Sequence, residues 1–412
     1  MSLNTTPAAN RFTIGIYGKR NAGKSSLINA VTAQEIALTS PVAGTTTDPV
    51  FKTIEILPIG PVVLIDTAGL DDTGELGEKR VEKSYEALRK CHMVILVLDG
   101  SAAGSDDAAG VYGEAEERFV RELRKRKITC VIALNKAGTG EAEVFEAMCK
   151  AIAEKSELPV VITDAVTGYG IEELKQTVIR NARIEDEIGL TDGLIEAGDV
   201  AVLVTPIDSV APKGRLILPQ QQVLRDILDK DAMAIVTKET DLPKAFAALG
   251  QAPKIVITDS QAFRKVSQDV PDEIPLTSFS ILFARQKGDL EKQIAGIRAL
   301  KQLQPGDRIL IAEGCTHHRQ CEDIGTVKIP KMIENMCPGV EYEWSSGAVF
   351  PKDIRRYRMI VHCGACMIGR REMQYRIASA DEQDVPITNY GLLIAYATGI
   401  LERAIRPLGL KL

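Results

Sequence analysis

Apolar runs alternate with amphipathic segments along residues 1–185 of the chain. Each run is continuously apolar, which is typical of strands buried on both faces of a parallel sheet. The predicted strands are Phe12–Tyr17, Val62–Asp66, Val94–Asp99, Cys130–Asn135 and Val160–Thr163. The segments with helical periodicity are Lys24–Val31, Gly77–Lys90, Glu114–Arg126 and Glu141–Glu154. This pattern predicts a doubly wound α/β domain over residues 1–185, with its ligand at the carboxyl ends of the strands.

Two further α/β domains are predicted after a charged connection at residues 183–189. Residues 186–268 alternate short strands and helices and carry no phosphate-binding loop and no cluster of catalytic side chains. We interpret this part as a dimerisation domain, with a simple spacer as the alternative. Residues 269–412 begin near a turn-rich segment and hold apolar strands at Arg308–Glu313 and Met359–Cys363. The predicted fold class is therefore α/β, with three domains.

The segment Gly18–Ser25 has the spacing of a phosphate-binding loop. It follows one predicted strand and opens one predicted helix, the context that Gly-x-x-x-x-Gly-Lys-Ser requires. The glycines let backbone N–H groups approach phosphates, and the helix N-terminus adds to the attraction. Lys24 is expected to reach the β- and γ-phosphates, and Ser25 to bind Mg²⁺. The loop residues expected to contact the nucleotide are Gly18, Asn21, Ala22, Gly23, Lys24, Ser25 and Ser26.

Residues near the ends of other predicted strands complete a nucleotide site. Asp66 is expected to hold Mg²⁺ through water, and Gly69 to sense the γ-phosphate. Thr45 and Thr46 lie in a loop, where the hydroxyl of Thr46 is expected to complete the metal shell. The expected base contacts are Asn135, Lys136, Asp164 and Ala165. The predicted catalytic residues are Lys24, Thr46, Asp66 and Gly69.

These elements, in this order, resemble the translation-factor-related GTPases, in particular the branch of the tRNA-modification GTPases and Era. The resemblance implies GTP hydrolysis with Mg²⁺. The family reads its base with Asn-Lys-x-Asp, whose aspartate accepts from guanine, but Gly138 stands at that fourth position, so guanine selectivity should loosen. Guanine is still the expected base, because Asn135 and Lys136 are in place. Leu70 stands where Ras-like enzymes carry a glutamine that orients water, so hydrolysis should be slow. Asn21 matches an asparagine that helps to bind K⁺ in this branch, and stimulation by K⁺ is expected, unless Asn21 only caps the loop.

Composition limits the other function classes. The chain is 45% hydrophobic and 26% charged with a formal net charge of −6, which argues against a dedicated nucleic-acid binder. No apolar stretch is long enough to span a membrane, and the N-terminus lacks the features of a secretory signal. We therefore expect a cytoplasmic protein without nucleic-acid or membrane partners. In that compartment its eight cysteines should be reduced thiols.

Five of the cysteines and three of the four histidines lie between residues 315 and 366. Cys363 and Cys366 form a Cys-x-x-Cys pair at the end of one predicted strand, and Cys315 follows another. Three thiolates suit an iron–sulfur cluster or zinc. We prefer Glu322 or a histidine as a further ligand, because a labile oxygen or nitrogen ligand would leave iron able to bind an external molecule. The alternatives open for this fourth position are His317, His362, Glu322, Cys321 and a ligand from outside the protein.

A GTPase domain, a small α/β domain and Cys-x-His…His-Cys-x-x-Cys together resemble the HydF family of [FeFe]-hydrogenase maturation GTPases. The resemblance covers essentially the whole chain. It implies that Cys315, Cys363 and Cys366 bind a [4Fe–4S] cluster. It also implies a homodimeric scaffold or carrier, which receives a transient di-iron precursor and passes it to apo-[FeFe]-hydrogenase. Two radical-SAM maturases would be its other partners.

Two other functions fit parts of the same pattern. A tRNA-modification or ribosome-assembly GTPase would use Cys315, His317, Cys363 and Cys366 as a structural zinc site. An electron-transfer protein with a regulatory GTPase would need four thiolates, with Cys321 as the fourth. Iron and sulfide in anaerobically purified protein would separate both iron–sulfur functions from the zinc alternative.

Overall fold

The computed structural model describes residues 11–33, 50–70, 83–102, 108–183, 188–206, 216–314, 323–347 and 349–412. The chain forms two compact units, residues 1–185 and 186–412. No helix among these described residues is long and apolar enough to cross a membrane.

The first unit is built on a six-stranded sheet with the strand order β2-β3-β1-β4-β5-β6. Strand β2 is antiparallel to β3, and the other pairs are parallel. The strands are β1 Phe12–Gly18, β2 Val50–Ile56, β3 Gly60–Asp66, β4 Met93–Asp99, β5 Thr129–Asn135 and β6 Val160–Ile162. The helices are Lys24–Ala33, residues 83–88, Ala108–Val111, Glu114–Lys125, Ala142–Ser156 and Ile171–Asn181. The doubly wound α/β domain predicted from the sequence is confirmed.

Both faces of this sheet are covered because the strands carry apolar side chains on each side. Ile14 and Ile16 of β1 belong to one apolar core with Leu27 of the helix Lys24–Ala33. Tyr17, one position further along β1, belongs to the opposite core with Phe119 of the helix Glu114–Lys125. The helix that follows β1 therefore covers one face of the sheet, and the helix Glu114–Lys125, which follows β4, covers the other. The carboxyl end of β1 lies where such sheets bind ligands.

The second unit contains two four-stranded, fully parallel sheets, ordered β10-β9-β7-β8 and β12-β11-β13-β14. The strands of the first are β7 Val200–Val204, β8 Met233–Thr237, β9 Ile255–Thr258 and β10 Leu276–Ser278. The strands of the second are β11 Arg308–Ala312, β12 Glu341–Ser345, β13 Met359–His362 and β14 Ile387–Asn389. Strand β10, which the sequence-based division assigns to the third domain, is paired with β9 in the first of these sheets.

The helices of the second unit cover both sheets and share one apolar core between them. Val202 of β7 and Ile311 of β11 belong to the same buried cluster. The α-helices are Leu218–Leu228, Leu242–Leu249, Phe263–Asp269, Phe279–Lys287, Leu290–Leu300, Ile329–Met336, Arg370–Glu382, Tyr390–Ala397 and Leu401–Ile405, and Ile324–Lys328 is a π-helix. The helix Tyr390–Ala397 is separated from the helix Leu401–Ile405 by a short turn, in which Gly399 adopts a positive φ of 76°.

The two sheets of the second unit have the same topology. Numbered from the first strand of each, both run in the order 2-1-3-4. Their last strands also carry matching sequences, Pro275-Leu-Thr-Ser-Phe-Ser280 and Pro386-Ile-Thr-Asn-Tyr-Gly391. Ser278 and Asn389, at equivalent positions, each accept a hydrogen bond from the N–H three residues on, at 3.3 and 2.9 Å. The unit is therefore an internal structural repeat, which the sequence patterns did not reveal.

Candidate functional site

The phosphate-binding loop follows β1 in a conformation that requires its two glycines. Gly18 and Gly23 have φ angles of +153° and +92°. A Cβ atom on Gly18 would lie 2.3 Å from the carbonyl oxygen of Val97, and one on Gly23 would lie 2.3 Å from Asn135 Nδ2. Asn21 also has a positive φ, 61°, and its side chain is exposed. The loop therefore has a tight conformation that side chains at positions 18 and 23 would block, as a phosphate-binding loop requires.

Lys24 begins the helix after the loop and reaches back across it. Its Nζ donates hydrogen bonds to the carbonyl oxygens of Gly18 at 3.1 Å and Lys19 at 2.8 Å. Only 9% of Lys24 is exposed. An ammonium group held over the loop can exchange these carbonyls for phosphate oxygens, as the motif predicts.

Ser25 and Asp66 meet at the carboxyl ends of β1 and β3. Ser25 Oγ donates to Asp66 Oδ2 at 2.6 Å, so a hydroxyl and a carboxylate oxygen lie side by side. Thr67 Oγ1 donates to the carbonyl of Ile16 at 2.6 Å, and Leu70 N–H donates to the carbonyl of Gly18 at 3.1 Å. These bonds tie the segment after Asp66 to the loop. Paired oxygen donors beside a phosphate site fit the hard-ligand preference of Mg²⁺.

Asn135 joins the loop to the segments that follow β5 and β6. Its Nδ2 donates to the carbonyl of Ala22 at 3.0 Å, and its Oδ1 accepts from Thr163 Oγ1 at 3.3 Å and Ala165 N–H at 3.1 Å. Asn135 is 2% exposed. The residue that the motif assigns to base contact therefore also links the phosphate-binding loop to the segment after β6 by hydrogen bonds.

Lys136 has a positive φ of 70° and an ion pair with Asp99, at 2.5 Å. Partial burial raises the pKa of Asp99, but hydrogen bonds from Lys136 and Ser101 outweigh it and the net pKa is lowered. The sequence patterns did not single out Asp99. Its position directly after β4 was the available signal, because side chains at that edge surround the site.

Asp164 lies against Gly138. Its Oδ2 accepts a hydrogen bond from Gly138 N–H at 2.8 Å, and its Oδ1 accepts from the N–H groups of Val166 and Thr167, each at 2.9 Å. The pKa of Asp164 is lowered, chiefly by the hydrogen bond from the Thr167 backbone. The carboxylate is thus ionised, and three backbone N–H groups hold it in place.

In the second unit, Cys363 and Cys366 follow β13. Cys363 Sγ accepts a hydrogen bond from the backbone N–H of Gly314 at 3.0 Å. Gly314 is the residue directly before Cys315, so the described chain lies within hydrogen-bond distance of Cys363 one residue before the third cysteine. Burial of the thiol raises the pKa of Cys363 to about 11. It also raises the pKa of Cys366, and the nearby Lys287 charge opposes that rise. Such buried, electrically neutral thiols become good soft ligands when a metal displaces their protons.

Lys287 is a buried cation that contacts residues 363–368, called here the cysteine loop. Its Nζ donates to the carbonyl oxygens of Ala365, Cys366 and Ile368 at 3.1, 3.3 and 3.0 Å. It is 3% exposed. Because the lysine comes from a different helix, 78 residues before Ala365, no local motif indicates it.

His362 does not present a free ring nitrogen. Its Nδ1 lies 2.8 Å from the carbonyl of Cys363, and its Nε2 lies 3.0 Å from Arg376 Nη1, which donates to it. Burial, with the Arg376 charge as a second cause, lowers the pKa of His362 to about 3. The neutral imidazole therefore donates from Nδ1 and accepts at Nε2. To bind a metal it would have to give up one of these bonds.

Several residues predicted for the two sites lie outside the described parts of the chain. They are Thr45, Thr46, Cys315, His317, Cys321 and Glu322. Among the described residues, no group of three or more His, Cys, Asp and Glu side chains is arranged to hold a metal ion. The described parts bring together the loop, Ser25, Asp66, Asn135 and Asp164 in one unit, and Cys363 with Cys366 in the other.

Three family models match successive segments of the chain. A model described as a 50S ribosome-binding GTPase matches residues 13–136. The Hydrogen maturase F dimerization domain matches residues 190–288, and the Hydrogen maturase F tetramerization domain matches residues 291–407.

Curated relatives and solved structures match the N-terminal part. The tRNA modification GTPase MnmE of Aquifex aeolicus (strain VF5) is 30% identical over 180 residues, 43% of this chain and 36% of the relative. GTPase Der of Kosmotoga olearia is 32% identical over 170 residues, 39% of this chain and 36% of the relative. The chain thus spans well under half of the length of these relatives. An Era variant of Aquifex aeolicus bound to GDP·AlF4⁻ is 23% identical, with 42% and 57% of the two chains covered and a TM-score of 0.34. The G domain of T. maritima FeoB is 23% identical, with 42% and 100% covered and a TM-score of 0.32.

Proposed function

Because the chain belongs to the hydrogen maturase F family, we propose that it is a GTP-hydrolysing scaffold or carrier for hydrogenase maturation. In this proposal it binds a [4Fe–4S] cluster, and it assembles or delivers the di-iron precursor to apo-[FeFe]-hydrogenase. The observation that carries the proposal is the hydrogen bond between Gly314 N–H and Cys363 Sγ. It brings the start of the Cys315 segment to the Cys-x-x-Cys pair, in a chain that also has a GTPase domain.

The residues of the first unit fit GTP hydrolysis with Mg²⁺. Ser25 and Asp66 would hold the metal, Ser25 directly and Asp66 through water, and we propose Thr46 as the further hydroxyl. The bound Mg²⁺ would neutralise charge on the phosphate oxygens. Lys24 would do the same from the other side of the loop, and Gly69 N–H would sense the γ-phosphate. Leu70 is apolar, so its side chain cannot orient the attacking water.

We expect hydrolysis to be slow in Na⁺ and faster in K⁺, by at least about tenfold at equal ionic strength. A cation held by the exposed Asn21 would supply positive charge where the phosphate charge develops. Phosphate release at saturating GTP, in K⁺, Na⁺ and choline buffers, measures the effect.

The matched variant is Asn21→Gly, which keeps the positive φ of 61° accessible and removes the whole carboxamide side chain, including the carbonyl oxygen that would bind the cation. It should lose the difference between K⁺ and Na⁺ while keeping nucleotide affinity. Equal turnover of the wild-type protein in K⁺ and Na⁺ would contradict a role for the cation.

The residues of the second unit fit an iron–sulfur cluster. Two thiols at a strand end, one N–H donor to sulfur and a buried lysine charge suit an anionic cluster with thiolate ligands. Cys315, Cys363 and Cys366 would hold it, and when bound it would supply one iron open to exchange. For that iron Glu322 and His317 remain candidates, and His362 remains one only if its bond from Arg376 or to Cys363 breaks.

We further propose that the protein acts as a homodimer and works with two radical-SAM maturases. Strand β8 is one edge of the sheet that the described strands form, and Met233 and Val236 on it are 55% and 41% exposed. An exposed apolar edge of this kind favours pairing with another chain. Switching segments near Thr45 and Gly69 would bias the docking of partners, so that hydrolysis times release of the precursor.

Anaerobically purified protein should contain about four iron and about four sulfide ions per chain. Its mass in solution should be that of at least two chains. Iron and sulfide assays, with light scattering on the same sample, measure these values. Colourless protein with one zinc per chain would contradict the proposal and favour the zinc-stabilised tRNA-modification or ribosome-assembly alternative. A mass of one chain would contradict only the homodimer.

Cysteine variants make this test specific to the site. Cys366→Ala should lose most of the iron, because one of three thiolate ligands is removed. Cys337→Ala is the matched control, since Cys337 is a buried thiol of the same unit outside the cysteine loop. Equal iron content in both variants would show that Cys366 is not a ligand.

A further inference from the structure

Residue 138 has no side chain, and the carboxylate of Asp164 takes the space beside it. A Cβ atom on Gly138 would lie 2.8 Å from Asp164 Oδ2, too close for both to keep their positions. The Gly138 N–H donates to that same oxygen at 2.8 Å. The glycine thus makes room for the carboxylate and also fixes it.

The two oxygens of Asp164 differ in their remaining capacity. Oδ1 already accepts from the N–H groups of Val166 and Thr167, each at 2.9 Å. Oδ2 accepts a hydrogen bond from Gly138 N–H, and a carboxylate oxygen has two lone pairs. Oδ2 therefore retains acceptor capacity beside the segments that follow β5 and β6.

The neighbouring carboxylate of Asp99 is more fully engaged. Its Oδ2 pairs with Lys136 at 2.5 Å, and its Oδ1 accepts from the N–H and hydroxyl of Ser101 at 3.0 and 2.5 Å. Among the described residues that follow β4, β5 and β6, Asp164 is the better placed acid for a ligand that donates hydrogen bonds.

Guanine is such a ligand. Its N1–H and N2–H₂ groups are donors on one edge, whereas adenine presents an acceptor at N1. We propose, on the premise of the GTPase function proposed above, that Asp164 supplies the carboxylate that reads guanine, in place of a side chain at position 138. The acid has moved from the segment after β5 to the segment after β6. Guanine selectivity is retained despite Gly138.

The substitution Asp164→Asn tests this exchange. Its Oδ1 keeps the bonds from Val166 and Thr167, so the amide NH₂ replaces Oδ2. The NH₂ group gives up the bond from Gly138 N–H and becomes a donor. It then opposes guanine N2–H₂ but matches the C2 carbonyl of xanthine. We expect GTP affinity to fall at least about tenfold and the ratio of XTP to GTP affinity to rise about 100-fold, because a hydrogen bond to a charged group is lost and a new one forms. Calorimetric titration of the full chain with GTP, XTP and ATP measures all three affinities.

A purely structural carboxylate would give a different result. Loss of the same factor for all three nucleotides, or no change in the ratio, would overturn the assignment of base reading to Asp164. Wild-type protein that binds ATP as tightly as GTP would instead contradict the GTPase proposal itself.

A second variant keeps the test decisive where Asp164→Asn does not fold. Gly138→Asp combined with Asp164→Ser returns the acid to position 138 and removes the collision. This double variant should retain GTP affinity within about threefold, less than the loss of one hydrogen bond to a charged group. Gly138→Asp alone should weaken GTP binding, since two carboxylates would then contend for one space. A double variant no better than Gly138→Asp alone would overturn the proposal.

Discussion

Lys24→Ala should lower the turnover of GTP by at least about 100-fold while leaving iron and sulfide in the protein unchanged. The Lys24 ammonium lies 2.8 and 3.1 Å from two carbonyl oxygens of the loop, where it can turn to the phosphates with little rearrangement. Removal of one preorganised charged donor to a reacting phosphate costs about 100- to 1000-fold in rate. Phosphate release at saturating GTP measures the loss, and optical spectra of the same sample measure the cluster.

Arg20→Ala is the matched control, because it removes a cation from the same loop at an exposed position. Its turnover should stay close to that of the wild-type protein. Simultaneous loss of hydrolysis and of iron in Lys24→Ala would contradict the modular arrangement, in which each unit holds its own site. Near-normal turnover in Lys24→Ala would contradict the role of the loop itself.

The sequence predicted the first unit well because its strands are continuous apolar runs. Strand β2, Val50–Ile56, was missed for a physical reason. It pairs antiparallel at the sheet edge, so Phe51 is 40% exposed while Ile54 and Ile56 are buried at 3% and 4%. An alternating, half-buried strand has a weaker signal than a run buried on both faces.

The repeat in the second unit was missed because the matching segments are short. Strands β10 and β14 have only three residues each, too few for any periodicity to be read. The signal that could have found them is the shared Pro-x-Thr-x pattern at Pro275 and Pro386, followed in each case by an aromatic residue and a helix.

The motifs identified the two sites, but not the side chains that reach them from elsewhere. Glu116 pairs with Lys19 of the phosphate-binding loop at 2.8 Å, and Lys287 supports the cysteine loop. These contacts join distant parts of the chain, so spacing along the sequence does not reveal them. The same limit applies to Gly138. From the sequence alone, the glycine indicates that the base-reading carboxylate is lost, whereas in the structure the Asp164 carboxylate lies beside it.

Arg376→Met should destabilise the second unit by about 3–5 kcal/mol, the usual cost of breaking a buried ion pair on one side. Arg376 is completely buried, and its guanidinium donates to Glu372 Oε1 at 2.8 Å, His362 Nε2 at 3.0 Å and the carbonyl of Gly347 at 2.8 Å. The substitution leaves the Glu372 carboxylate buried at 3% exposure without this charge partner. Urea unfolding measures the effect through Trp344, the single tryptophan of the chain, which lies in strand β12 of the same sheet as His362.

The double variant Arg376→Met with Glu372→Met separates the ion pair from the packing. It also removes the Glu372 carboxylate, which would otherwise stay buried without its charge partner. The double variant should therefore recover most of the lost stability, because apolar residues can replace a buried ion pair. Arg356→Met is the matched control, since Arg356 pairs with Glu343 at 2.7 Å on the exposed side of the same sheet and its loss should be small. An unchanged Trp344 transition in Arg376→Met would contradict the prediction.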